Sequence, residues 1–99
     1  MSTLHVLSHS PFTDTRLDSC LRLLGARDAL LLCGDAAYAL QPGSAPFAHL
    51  QGRAEALQVF VLAEDLQARG LVAPAWVTAI DYPAFVELSI QHAKVNSWL

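Results

Sequence analysis

Between positions 28 and 35 the sequence reads Asp-Ala-Leu-Leu-Leu-Cys-Gly-Asp. Ala29 to Cys33 is an unbroken apolar run, too short for an independent helix and stopped at once by Gly34-Asp35. Apolar residues without polar alternation suit a strand covered on both faces, which demands helices above and below a largely parallel sheet. In such sheets ligands and partners meet the chain just beyond the carboxyl ends of the strands. Cys33 closes the strand on this reading, and Gly34 and Asp35 stand on that edge.

The rest of the chain supplies the other layers. Thr3–Leu7 is a strand candidate, ended by Ser8-His9-Ser10-Pro11. Thr13 or Asp14 caps a helix in which Leu17, Cys20, Leu21 and Leu24 form one inner face, with Gly25 closing it. Ser44 caps a second helix with Phe47, Leu50, Ala54 and Leu57 inward. Gln58–Leu62 is β-branched and aromatic and reads as the third strand. Glu64 to Gly70 is a compact helix with carboxylates at its start, Arg69 at its end and a terminal glycine. Trp76–Ile80 is the fourth strand. Asp81 caps a last helix with Tyr82, Phe85, Val86, Ser89 and Ile90 on its buried face. Lys94 to Leu99 reads as a short tail with an exposed indole at Trp98. Strands alternating with helices predict one α/β domain over residues 1–99, with a mainly parallel sheet of about four strands.

Composition narrows the function classes. Hydrophobic residues make up 54% of the chain and charged residues 15%. That apolar excess in a small domain points to burial against other subunits. No apolar run is long enough to span a bilayer, and the first residues lack the basic region of an export signal, so the expectation is a cytoplasmic protein without membrane partners. A net charge of −3 without a basic stripe argues against direct nucleic-acid binding. Cys20 and Cys33 lack CxxC spacing, and His5, His9, His49 and His92 are not paired at helical spacing. No metal and no cofactor are expected.

Leu4-His5 with Ser10-Pro11, Leu31-Leu32 with Gly34-Asp35, Glu64-Asp65-Leu66 with Ala68-Arg69-Gly70-Leu71, Asp81-Tyr82 with Phe85-Val86, and Trp98 follow one another in an order and spacing that resembles the TusB/DsrH family of sulfur-relay proteins. The resemblance covers essentially the whole chain. It implies a small Rossmann-like, three-layer subunit in a hetero-oligomer with TusC-like and TusD-like partners, receiving sulfur from a donor protein and passing it to an acceptor. In the Tus case the persulfide sulfur goes to 2-thiolation of the tRNA wobble uridine; in the Dsr case the related complex serves sulfur oxidation. The TusD-type subunit carries its accepting cysteine at the end of its third strand. The matching place here, Leu62-Ala63 ahead of Arg69-Gly70, holds no cysteine. DsrH-type members resemble this chain in having a cysteine in the first helix, here Cys20.

The residues, taken with what the resemblance implies, leave three readings. The first is a structural or docking subunit with no catalytic residue of its own, with Gly34, Asp35, Glu64 and Asp65 as docking or sheet-edge candidates. The second makes Cys20 an auxiliary persulfide carrier in a DsrEFH-like complex; a carrier needs a reachable thiolate, whereas Cys20 falls on an apolar helix face. The third is a free-standing small-molecule binding module using the Gly34-Asp35 edge. Asp35 either orients a ligand or closes the turn with Gly34. Glu64 and Asp65, as adjacent helical residues, point in different directions and read mainly as partners of the helix dipole. His9 between two serines lacks the glycines of a nucleophile elbow, and Gly34 alone makes no phosphate loop.

Overall fold

The computed structural model describes residues 2–98; Met1, and Leu99 of the expected tail, lie outside them. Five strands form one parallel sheet: β1 (Thr3–Leu7), β2 (Ala29–Leu32), β3 (Gln58–Leu62), β4 (Val77–Ile80) and β5 (Lys94–Trp98), in the order β4-β3-β2-β1-β5. All four residues of β2 are buried, as expected of a central strand between two layers. The fifth strand corrects the expectation of about four strands and a loose tail. Lys94 to Trp98 pairs with β1 from Thr3↔Lys94 to Leu7↔Trp98. Its sequence is polar and its first four residues are exposed, so backbone pairing rather than side-chain burial makes it a strand.

Helices α1 (Arg16–Leu23), α2 (Ala45–Gln51) and α3 (Ala63–Ala68), with a 3-10 helix at Gly34–Leu40, connect the first four strands. Leu17, Cys20, Leu21, Leu40, Leu50 and Leu66 pack with Leu7, Leu30, Leu32, Val59 and Val61 in the larger core cluster. Among the described residues, the opposite face of the sheet is covered by α4 (Tyr82–Gln91) alone, through Phe85 and Leu88 over Leu4, Ala29 and Leu31. The fold is therefore a three-layer α/β sandwich with one thin layer.

The helix ends depart in places from their sequence pattern. α1 begins at Arg16 after Thr15, and Asp14 serves it by accepting the Arg16 backbone N–H at 2.7 Å. It ends at an extended Leu24; Gly25 is no left-handed cap and instead donates its N–H to Asp28 at 2.9 Å. Ser44 does cap α2, accepting from Phe47 N at 3.3 Å, but that helix stops at Gln51 and a run of turns carries the chain to Leu57. Gly70 takes φ +65°, and Gly70 N→Gln67 O with Leu71 N→Leu66 O closes α3 as a Schellman motif. On α4 the expected inner face of Tyr82, Phe85, Val86, Ser89 and Ile90 is mostly overturned. Phe85 meets the sheet, whereas Tyr82 and Ile90 are 61% and 76% exposed and Val86 is exposed beside them. The helix carries apolar residues on two sides, and a single sheet face can cover only one.

Candidate functional site

Three connections run β1→β2→β3→β4 in one direction, and the fourth returns β5 to the free side of β1. The carboxyl edge thus has its order reversal between β1 and β5, while the expected Gly34-Asp35 corner lies one strand away, beyond β2.

At that corner Gly34 adopts φ +53°, where an added Cβ would meet Ser8 O at 3.4 Å. The left-handed backbone is what favours glycine there, since a Cβ would make a close but tolerable contact with Ser8 O. Gly34 N–H donates to Asp65 Oδ2 at 2.9 Å, so Asp65 ties α3 to the start of the 3-10 helix. Asp35 Oδ1 accepts from Arg69 Nη2 at 2.8 Å. Arg69 Nη1 donates back to the Asp65 carbonyl at 3.0 Å, and its guanidinium lies 5.6 Å from the centre of the Tyr38 ring. Hydrogen bonding to Asp35 holds the Arg69 pKa above its ordinary value. Gly34, Asp35 and Asp65 are therefore brought together, with Arg69 as the cation that organises them, whereas Glu64 is exposed. The sequence showed Arg69 only as a helix-end charge, because its partner Asp35 lies 34 positions earlier.

The two thiols differ in place but not in character. Cys20 is fully buried on the inner face of α1. Burial first, then the Asp28 charge, push its pKa up to about 12, with Arg53 pulling weakly the other way. Cys33 follows β2, half-buried, and its Sγ donates to Leu7 O at 3.3 Å. Burial and the Asp65 carboxylate raise this thiol too. Neither position favours the thiolate that persulfide chemistry requires. A cleft of about 250 Å³ opens nearby between the loop before α1 and the start of α2, lined by Phe12, Leu17 and Pro46, with the Asp18–His49 pair 3.4 Å apart at its wall.

A second constellation was missed altogether. Trp98, expected to be exposed, is partly buried against the core and donates its indole N–H to His5 Nδ1 at 3.1 Å. His5 Nε2 lies 3.3 Å from Asp28 Oδ2, and Asp28 also accepts the N–H groups of Thr3 and Gly25, at 2.9 Å each. Asp28 is held below the usual carboxylate range first by the Gly25 N–H, then by Thr3 and His5. Three segments, β1, the connection from α1 to β2 and β5, meet in this chain of contacts, and no local pattern in the sequence announces it.

No helix of the described residues is long and apolar enough to cross a membrane. The model of the family described as DsrH like protein matches residues 9–95. The chain is 38% identical to Protein TusB of Erwinia tasmaniensis over 97 residues and 41% identical to Protein TusB of Serratia proteamaculans over 98, covering 96% of this chain and 99% of each relative. Among solved structures, the ychN protein of E. coli superposes with a TM-score of 0.69 at 18% identity over 99% of this chain and all of that one. Protein MTH1491 of Methanobacterium thermoautotrophicum gives 0.60 at 10% identity over 96% of both chains. Those two likenesses concern the fold; the family match and the relatives decide membership. The chain belongs to the TusB/DsrH family.

Proposed function

We propose that the chain is a non-catalytic subunit of a TusBCD-like sulfurtransferase complex in the cytoplasm. On this reading residues 1–99 form one domain that completes the assembly with TusC-like and TusD-like subunits. It shapes the surface on which sulfur donor and acceptor proteins dock, and the relayed sulfur serves 2-thiolation of the tRNA wobble uridine. The observation that carries the reading is Cys20, fully buried and with its pKa pushed up to about 12. A thiol in that state is neither ionised nor reachable by a donor persulfide. The absence of a cysteine at Leu62-Ala63 supports the same division of labour. The Gly34, Asp35 and Asp65 corner, braced by Arg69, is then a rigid part of the docking edge.

The test is mass spectrometry of the co-purified complex after exposure to a persulfide donor. The one-sulfur increment is expected on a partner chain, with Cys20 and Cys33 unmodified and transfer undiminished in Cys20→Ala. An increment on Cys20 at comparable occupancy, together with loss of transfer in the alanine variant, overturns the proposal.

A further inference from the structure

The contacts of His5 fix its chemical state. An indole N–H can only donate, so Nδ1 must present its lone pair to Trp98. Asp28 receives two backbone N–H groups and is held below the ordinary carboxylate range, so it is an acceptor toward Nε2. The ring is therefore the neutral tautomer with hydrogen on Nε2, only 5% exposed, and bonded at both nitrogens. A proton on Nδ1 would face the indole N–H donor to donor. The Asp28 contact would survive that change, since Nε2 keeps its hydrogen. The Trp98 contact would not.

What depends on Trp98 is β5. Lys94, Val95, Asn96 and Ser97 are all exposed, and Trp98 is the one residue of the strand that enters the core. The strand otherwise rests on its backbone pairing with β1, helped at its start by Lys94 N→Ser2 O at 3.2 Å. We infer that His5 and Trp98 form an acid-releasable latch: with His5 neutral the indole is held and β5 is docked on β1, and with a proton on Nδ1 the indole is expelled and the strand loosens from its Trp98 end.

The charged and titratable neighbours fit this polarity. Asp28, on the lead into β2, is the carboxylate in contact with the ring and stabilises the imidazolium once formed. Beyond Asp28 stand Cys20 of α1, an uncharged thiol, and Arg53 of the turns after α2, anchored on the Leu21 carbonyl. Lys94 of β5 is at the far end of that strand, in register with Thr3. No carboxylate on β5 competes for the proton. Protonation thus trades a bond between β1 and β5 for a stronger one between β1 and Asp28.

The experiment uses ring-nitrogen NMR and amide exchange on the full chain from about pH 8 to about pH 5, the span over which histidine side chains charge. At the alkaline end the His5 shifts should identify Nε2 as protonated and Nδ1 as bare. As His5 titrates, the Trp98 indole N–H resonance, assigned in a Trp76→Phe background, should follow the same curve. Exchange at Val95–Ser97, corrected for its intrinsic pH dependence, should rise on the order of tenfold relative to Leu30–Leu32, as expected for losing one net hydrogen bond. His5→Asn leaves an uncharged acceptor beside the indole and should abolish that step. A ring protonated on Nδ1 at the alkaline end overturns the inference, and so does unchanged exchange in β5 across the His5 titration. Both readouts come from the parent side chain at position 5, so they decide the matter even if His5→Asn does not fold.

Discussion

Cys20 shows how little a residue's type says about its chemistry. Its position on the inner face of α1 was legible from the spacing of Leu17, Leu21 and Leu24, and burial follows from that spacing. The raised pKa means that the fold favours the neutral thiol. This contribution to stability is complete below the ordinary thiol value of 9.0, which the unfolded chain has, and is lost as pH rises from there toward about 12. Native stability should therefore fall on the alkaline side less steeply in Cys20→Ala than in the parent chain, in urea titrations at a series of pH values. Near neutrality, Cys20→Ser should cost about 1–3 kcal/mol, because its hydroxyl lacks a partner in an apolar site. Cys20→Ala should cost less, since it leaves a small cavity and no unsatisfied polar group. Equal costs for the two would show that the site admits water. The residues that no spacing revealed are those whose partners are remote. His5, Asp28 and Trp98 meet across up to 93 positions of sequence, and pattern reading reaches only a few turns.

Among the elements, α3 was the most completely legible, and its two carboxylates show where legibility stops. Their place at the helix start was plain, but adjacent residues separate in role once tertiary contacts exist. Asp65 accepts from Gly34 and lies 3.7 Å from Arg69 Nη1, whereas Glu64 is exposed. Glu64→Gln should change stability by no more than about 0.5 kcal/mol. Asp65→Ala should cost about 1–2 kcal/mol, because it strips the Gly34 N–H of its acceptor and Arg69 of one neighbour. Chemical denaturation of the two variants checks the contrast, and similar values would refute the bridging role of Asp65. Strand β3 matched its sequence because the Val-Phe-Val at the centre of QVFVL carries strand propensity. Strand β5 did not, since KVNSW gains its state from the edge of β1 and from one tryptophan. Helix α4 misled for the opposite reason: apolar residues on two sides satisfy any inner-face pattern.

At the scale of the whole molecule, the thin layer matters most. One helix covers a five-stranded face, Val6, Phe60 and Ile80 are only partly buried on it, and Tyr82, Val86 and Ile90 face outward. Expressed alone, the chain should self-associate, and co-expression with TusC-like and TusD-like chains should give a defined complex by sedimentation. Ile90→Lys with Val86→Asp should suppress self-association and leave the fold intact, because neither side chain is buried. A stable monomer of the parent chain, indifferent to both partners, would refute the expectation. The strand order also governs when the sheet is finished during synthesis. Strands β1 to β4 can pair one after another as they are made, each beside its predecessor. The other edge of β1 waits for Lys94–Trp98, through a closure that spans nearly the whole chain and is correspondingly slow. Until those residues leave the ribosome, the nascent domain presents an unpaired parallel edge at β1, the interval in which it most needs protection from joining other chains.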